Sequence, residues 1–101
     1  MDDKKHCEQG LMYSSKGLYE MAISQFTKAI EINPSCHEAY KNRGLIYCLY
    51  IEEFHEEAVC DFTKAIEFCP DDPVSYHGRG LIYYAQGRYD QALEDFSRVL
   101  E

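Results

Sequence analysis

Phe62-Thr63-Lys64-Ala65-Ile66-Glu67 has a near copy in Phe26-Thr27-Lys28-Ala29-Ile30-Glu31 and a looser one in Phe96-Ser97-Arg98-Val99-Leu100-Glu101. A second phrase travels with it: Gly10-Leu11-Met12-Tyr13, Gly44-Leu45-Ile46-Tyr47 and Gly80-Leu81-Ile82-Tyr83. The three glycines lie 34 and then 36 residues apart, and the three phenylalanines 36 and then 34. The chain is therefore three copies of one unit, and the middle copy holds two extra residues between its phrases. A period of this size signals a stacked array in which each unit buries its apolar side against its neighbours.

Helical spacing runs through every copy. Ala22, Ile23, Phe26, Ala29 and Ile30 step by three and four and make one stripe. Ala58, Val59, Phe62, Ala65 and Ile66 repeat that stripe. The breaks are equally regular. Gly17 suits a left-handed C-terminal cap of a first helix, Gly87 breaks the chain after another, and Asn33-Pro34 and Pro70 stop second helices. Asp72 followed by Pro73 predicts a helix start, with an N-cap and then proline at the first helical position. Ser35, three residues before Glu38, predicts a capping box. The expected helices run from about Asp3 to Ser15, Tyr19 to Ile32, a third carrying Ala39 to Tyr50, a fourth ending at Pro70, a fifth reaching Ala85, and a sixth from Tyr89 onward. No segment alternates as a strand does. The fold class is all-α, with three antiparallel helix hairpins.

Gly44 and Gly80 fall inside helices, where glycine costs roughly 1 kcal/mol relative to alanine. The offset expected from sequence is close approach: Gly10, Gly44 and Gly80 facing Ala22, Ala58 and Ala92, with the tyrosines and phenylalanines filling the space between hairpins.

These residues resemble the tetratricopeptide repeat (TPR) family. The matching set is Gly10, Tyr13, Gly17, Tyr19, Ala22, Phe26, Ala29 and Pro34 in the first copy. In the second it is Tyr40, Gly44, Tyr47, Ala58, Phe62, Ala65 and Pro70, and in the third Tyr76, Gly80, Tyr83, Gly87, Tyr89, Ala92 and Phe96. The resemblance covers essentially the whole chain and implies one α-α superhelix (solenoid) over residues 1–101, with repeats at about 3–36, 37–72 and 73–101. His6, His55 and Val99 depart from the pattern; Val99 stands where Ala29 and Ala65 would contact a following repeat. The family's usual polar capping helix has no counterpart. Phe96, Val99 and Leu100 are thus expected to be partly uncovered, and an exposed apolar surface marks an interface or a liability. Two explanations stand: the chain is part of a longer protein, or two copies cover each other's ends as a homodimer.

The resemblance also implies that the first helix of each pair lines a concave face. The lining would include Lys4, Cys7, Glu8, Leu11, Ser14 and Ser15, then Glu38, Lys41, Asn42, Leu45, Cys48 and Leu49, then Val74, His77, Gly78, Leu81, Tyr84 and Ala85. Leu11, Leu45 and Leu81 recur in register as an apolar strip, which either faces a groove or is partly buried between helices. Family members that hold acidic chaperone tails use two lysines, two asparagines and an arginine to fix carboxylates by charge-assisted hydrogen bonds. The matching places here hold Cys7, Leu11, Asn42, Val74 and Gly78, of which Asn42 alone fits. Arg43 and Arg79 sit one step away and are expected to pair with neighbouring acids.

The net charge is -8, which disfavours nucleic acid and anionic membranes as main partners. No apolar run approaches the ~18 residues of a membrane span, and no signal peptide opens the chain. Five cysteines form no CxxC pair and read as reduced thiols of a cytoplasmic or nuclear chain. Neither His6-Cys7 nor Cys36-His37 has zinc spacing, so no metal or other cofactor is expected. No catalytic constellation is present. The inserted stretch around Ile51 to Phe54 is either an exposed knob of Tyr50, Ile51 and Phe54 beside acids or a longer turn packed locally. The functional expectation is a non-enzymatic adaptor or scaffold that binds a peptide or helix of a protein partner. The alternative is a structural array segment that associates with itself through its last hairpin.

Overall fold

The computed structural model describes residues 2–100. Six α-helices follow in order: α1 (Asp2–Ser15), α2 (Tyr19–Ile32), α3 (His37–Tyr50), α4 (His55–Phe68), α5 (Pro73–Ala85) and α6 (Tyr89–Val99). A single 3-10 turn (Glu52–Phe54) joins α3 to α4. No strand occurs among the described residues. The helices pair as α1–α2, α3–α4 and α5–α6, and the pairs stack by α2 on α3 and α4 on α5. Among the described residues, no helix is long and apolar enough to cross a membrane.

The ends follow from local chemistry. Gly17 and Gly87 adopt φ of 78° and 77°, the left-handed conformation that only glycine takes at no steric cost. Asp72 caps α5, its Oδ1 accepting from the Val74 N–H at 3.0 Å. The capping box expected at Ser35 and Glu38 does not form. Cys36 is the N-cap of α3 and makes no side-chain cap bond. Ser35 is instead turned back, with its N–H and hydroxyl both donating to Asn33 Oδ1. Asparagine before proline offers a turn acceptor two residues away, and the serine satisfies itself there.

The core repeats with the sequence. Ala22, Phe26, Ala29 and Ala39 are fully buried at the first junction, as are Ala58, Phe62 and Ala65 further along. Each fully buried phenylalanine contributes roughly 2–3 kcal/mol by leaving water. The atoms nearest to these glycines, however, belong to phenylalanine rings. A Cβ on Gly10 would lie 2.6 Å from the Phe26 ring, one on Gly44 3.1 Å from Phe62, and one on Gly80 2.7 Å from Phe96. The missing side chain makes room for an aromatic face. Phe62 is held from two sides, because a Cβ on Gly78 of the next hairpin would lie 2.4 Å from the same ring.

The two extra residues stay in the turn. The helices α3 and α4 are 14 residues each, the length of α1 and α2. Ile51 packs onto the first core cluster, Tyr50 stacks on Tyr19 with ring centroids 4.1 Å apart, and Phe54 meets Tyr47 at 5.4 Å. All three thus have packing partners, while Tyr50 and Phe54 stay 54% and 39% exposed, so each expectation holds in part.

Candidate functional site

The first helices of successive hairpins touch, α1 on α3 and α3 on α5, whereas α2 does not touch α4 and α4 does not touch α6. Closer spacing on one side bends the stack, with α1, α3 and α5 on the inner side. Leu11, Leu45 and Leu81 each follow a packed glycine and so lie about 100° round the helix from the glycine–phenylalanine contacts.

Two clefts lie between α1 and α3. The first, ≈ 400 Å³, opens among Asp3, Lys4, Cys7, Cys36 and Glu38. The second, ≈ 200 Å³, is floored by Phe26 and walled by Asn42, Leu45, Leu49 and Tyr50. Leu11 borders both and is 48% exposed. The structure thus brings Cys7, Leu11, Glu38, Asn42, Leu45 and Leu49 together. Val74, His77, Leu81 and Tyr84 line neither cleft and form an open face along α5. Leu81 and Tyr84 are 40% and 60% exposed. His77 leans on Phe96 with centroids 6.0 Å apart, and Tyr84 meets Tyr89 edge-on at 5.3 Å.

Several of these residues are less available than their register implies. Leu45 is half-buried and packs against the cluster of Ala58, Phe62 and Ile82, so part of the leucine strip serves the core. Cys7 is buried at 8% exposure. Its thiol is pushed up to about 12, first by burial and then by the neighbouring Cys36. Lys41 pairs with Asp72 at 3.5 Å, which ties α3 to the head of α5. Arg43 and Arg79 do pair with acids. Arg43 holds Asp61 by two bonds of 2.8 Å, and Arg79 holds Asp95 by bonds of 2.9 and 2.8 Å. Burial pushes the Asp61 carboxyl up, against the hydrogen bonds from Arg43.

Helix register alone misses residues at the ends of helices. Cys36 and Tyr50 border the clefts although neither lies on the expected lining. At the far end, Phe96 and Val99 are half-buried and Leu100 is 89% exposed. Leu93, 67% exposed, joins them. Its counterparts Ile23 and Val59 are half-buried under the next hairpin, so the repeat pattern held a signal for Leu93.

Known proteins of the same shape were found. The second TPR of Spaghetti (RPAP3), bound to the HSP90 peptide SRMEEVD, superposes with a TM-score of 0.92 at 28% identity, covering 98% of this chain and 84% of that one. The TPR2B domain of yeast Sti1 in complex with a pHsp70 peptide gives 0.89 at 26%, covering 98% and 78%. MamA gives 0.90 at 25%, covering 98% and 57%. No curated protein matches the chain in sequence. The tetratricopeptide repeat model matches residues 4–36 and 73–101; the middle unit, with its two extra residues, lies outside those matches. Repeat period, hairpin stacking and this sequence match agree, and the chain belongs to the tetratricopeptide repeat family.

Proposed function

We propose that this chain is a non-enzymatic protein-interaction module whose inner face takes an extended or helical segment with apolar anchors. The observation that carries this reading is the row of exposed apolar residues along one side of the stack. Leu11, Leu49, Leu81 and Tyr84 are each 40% exposed or more, beside the two clefts between α1 and α3. Two of the similar structures hold peptides on this fold, which supports a peptide as the ligand class. Apolar burial would supply affinity, while Glu38, Asn42 and His77 would orient the ligand. Lys41 is already engaged by Asp72 and takes no such part.

An acidic chaperone tail does not fit this face. The five places that would clamp its carboxylates hold a buried thiol (Cys7), an exposed leucine (Leu11), a half-buried amide (Asn42), an exposed valine (Val74) and a glycine packed on Phe62 (Gly78). Charge-assisted bonds need cations there, and the chain as a whole is acidic. The test is selection from a displayed peptide library, with calorimetry on the SRMEEVD peptide as the second arm. Selected peptides should carry apolar anchors and lose most of their affinity for Leu11→Glu and Leu81→Glu. The acidic peptide should bind no tighter than about millimolar, which needs only ~4 kcal/mol. Micromolar binding of SRMEEVD, or selected peptides indifferent to both substitutions, would refute the reading.

A second reading rests on a separate observation. Tyr89, Leu93 and Leu100 leave the outer side of α6 apolar, at 62%, 67% and 89% exposure. Association of two copies through this face, including Phe96 and Val99, would cover it. Light scattering against concentration checks it: a dimer abolished by Leu93→Glu supports self-association, and a monomer at all concentrations rejects it.

A further inference from the structure

Two thiols face each other where the first hairpin meets the second. Cys7 Sγ lies 3.8 Å from Cys36 Sγ, across 29 residues of sequence. Cys7 projects from the middle of α1 and is buried, whereas Cys36 stands at the N-cap of α3 and is partly exposed. Both thiols are free, and both line the first cleft. Sulfurs at this separation are in van der Waals contact and need to close to about 2.05 Å to bond. The other cysteines are placed differently. Cys48 lies beside the Gly78 carbonyl at 3.9 Å, Cys60 is exposed on α4, and Cys69 follows the end of α4.

We propose that Cys7 and Cys36 form a reversible disulfide, a redox modification site that clamps α1 to the head of α3, with a peroxide or a small-molecule disulfide as oxidant. Cys36 reacts first because it is the accessible partner. Its thiolate attacks the peroxide O–O bond, giving a sulfenic acid and one water. The Cys7 sulfur then attacks the Cys36 sulfur; the S–S bond forms, the S–O bond breaks, and a second water leaves. Two thiol hydrogens are lost, and one peroxide is reduced to two waters. With glutathione disulfide, Cys36 forms the mixed disulfide and releases one glutathione thiol, and Cys7 displaces the other.

The surroundings assign these roles. Burial, and then the neighbouring Cys36, hold the Cys7 thiol in its protonated form, which makes Cys7 a poor first nucleophile. Oxidation of Cys36 leaves Cys7 in contact with the sulfur it must attack. Two thiols fall short of the four ligands of a structural zinc, and no group of three or more His, Cys, Asp or Glu side chains suited to a metal gathers among the described residues. The inference stands apart from what the cleft binds, although closing the bond would fix one wall of it.

The test uses the whole chain, reduced and then treated with stoichiometric hydrogen peroxide, followed by alkylation and peptide mapping. Wild type should yield a Cys7–Cys36 linked peptide that dithiothreitol reverses, with the unfolding midpoint raised by roughly 10 °C. Cys7→Ala should leave Cys36 as a sulfenic acid trapped by a dimedone reagent. Cys36→Ser should leave Cys7 unoxidised, and serine is a favoured N-cap residue, so this variant keeps its fold. A persistent Cys36 sulfenic acid in wild type, links mainly through Cys48, Cys60 or Cys69, or reaction of Cys7 only in denaturant would each overturn the proposal.

Discussion

Arg43 on α3 reaches out of its own hairpin to Thr27 on α2, its Nη1 donating to Thr27 Oγ1 at 2.9 Å. The other side of the same guanidinium grips Asp61. Arg79 repeats the arrangement one unit later, with Nη1 donating to Thr63 Oγ1 at 3.1 Å. Each arginine closes its own hairpin and fastens it to the one before. The two jobs differ in energy. Asp61 is 4% exposed, so Arg43→Leu strands a buried carboxylate and should cost about 3–5 kcal/mol. Thr27→Val removes the bond between hairpins and the hydroxyl's bond to the Ile23 carbonyl, strands no charge, and should cost about 1 kcal/mol. The double substitution Arg43→Leu, Asp61→Leu should recover most of the loss. Urea titration of the four proteins measures this, and equal costs for Arg43→Leu and Thr27→Val would contradict it.

The phenylalanine between two glycines gives a second expectation. Gly44→Ala gains up to about 1 kcal/mol of helix propensity, and its new methyl meets Phe62 at 3.1 Å, so the change should be near neutral. Gly78→Ala brings a methyl to 2.4 Å from a ring that has no free space. It should destabilise by roughly 1–3 kcal/mol. Thermal melts of the pair decide, and adding Phe62→Leu to Gly78→Ala should remove much of the difference.

Alkaline pH should loosen the first junction. The Cys7 thiol is raised from 9.0 to about 12 in the folded chain. Folding therefore favours the protonated thiol; its contribution is complete below pH 9 and is lost as pH rises through 12. Under reducing conditions wild type should lose about 1 kcal/mol more than Cys7→Ala between pH 8 and about pH 10. Parallel losses in the two proteins would show that Cys7 is not responsible.

The caps separate cleanly. Asp72→Ala deletes an N-cap bond and the partner of Lys41, and should cost about 1–2 kcal/mol. Ser35→Ala removes an exposed hydroxyl bond to the Asn33 side chain and no N-cap bond of α3, and should change stability by less than about 0.5 kcal/mol. A comparable loss at both positions would restore the capping box that the structure lacks.

Periodicity, turn residues and the three-fold phrase determined the helices, their order and their pairing, because backbone preferences and a 3.6-residue stripe are local properties of a chain. Helix starts at Tyr19 and Pro73 and stops at Ser15, Ile32 and Ala85 were legible for that reason. The side of α1, α3 and α5 that bears Leu11, Leu49 and Leu81 was legible too. What the tertiary structure alone decided is which partner each side chain meets. The glycines lie nearest to phenylalanine rings, Leu45 is drawn partly into the core, Lys41 is taken by Asp72, and Cys7 comes to rest against Cys36. Those contacts join residues more than a dozen positions apart, from different helices and turns, and depend on how closely the hairpins approach, a distance that no local pattern in the chain encodes.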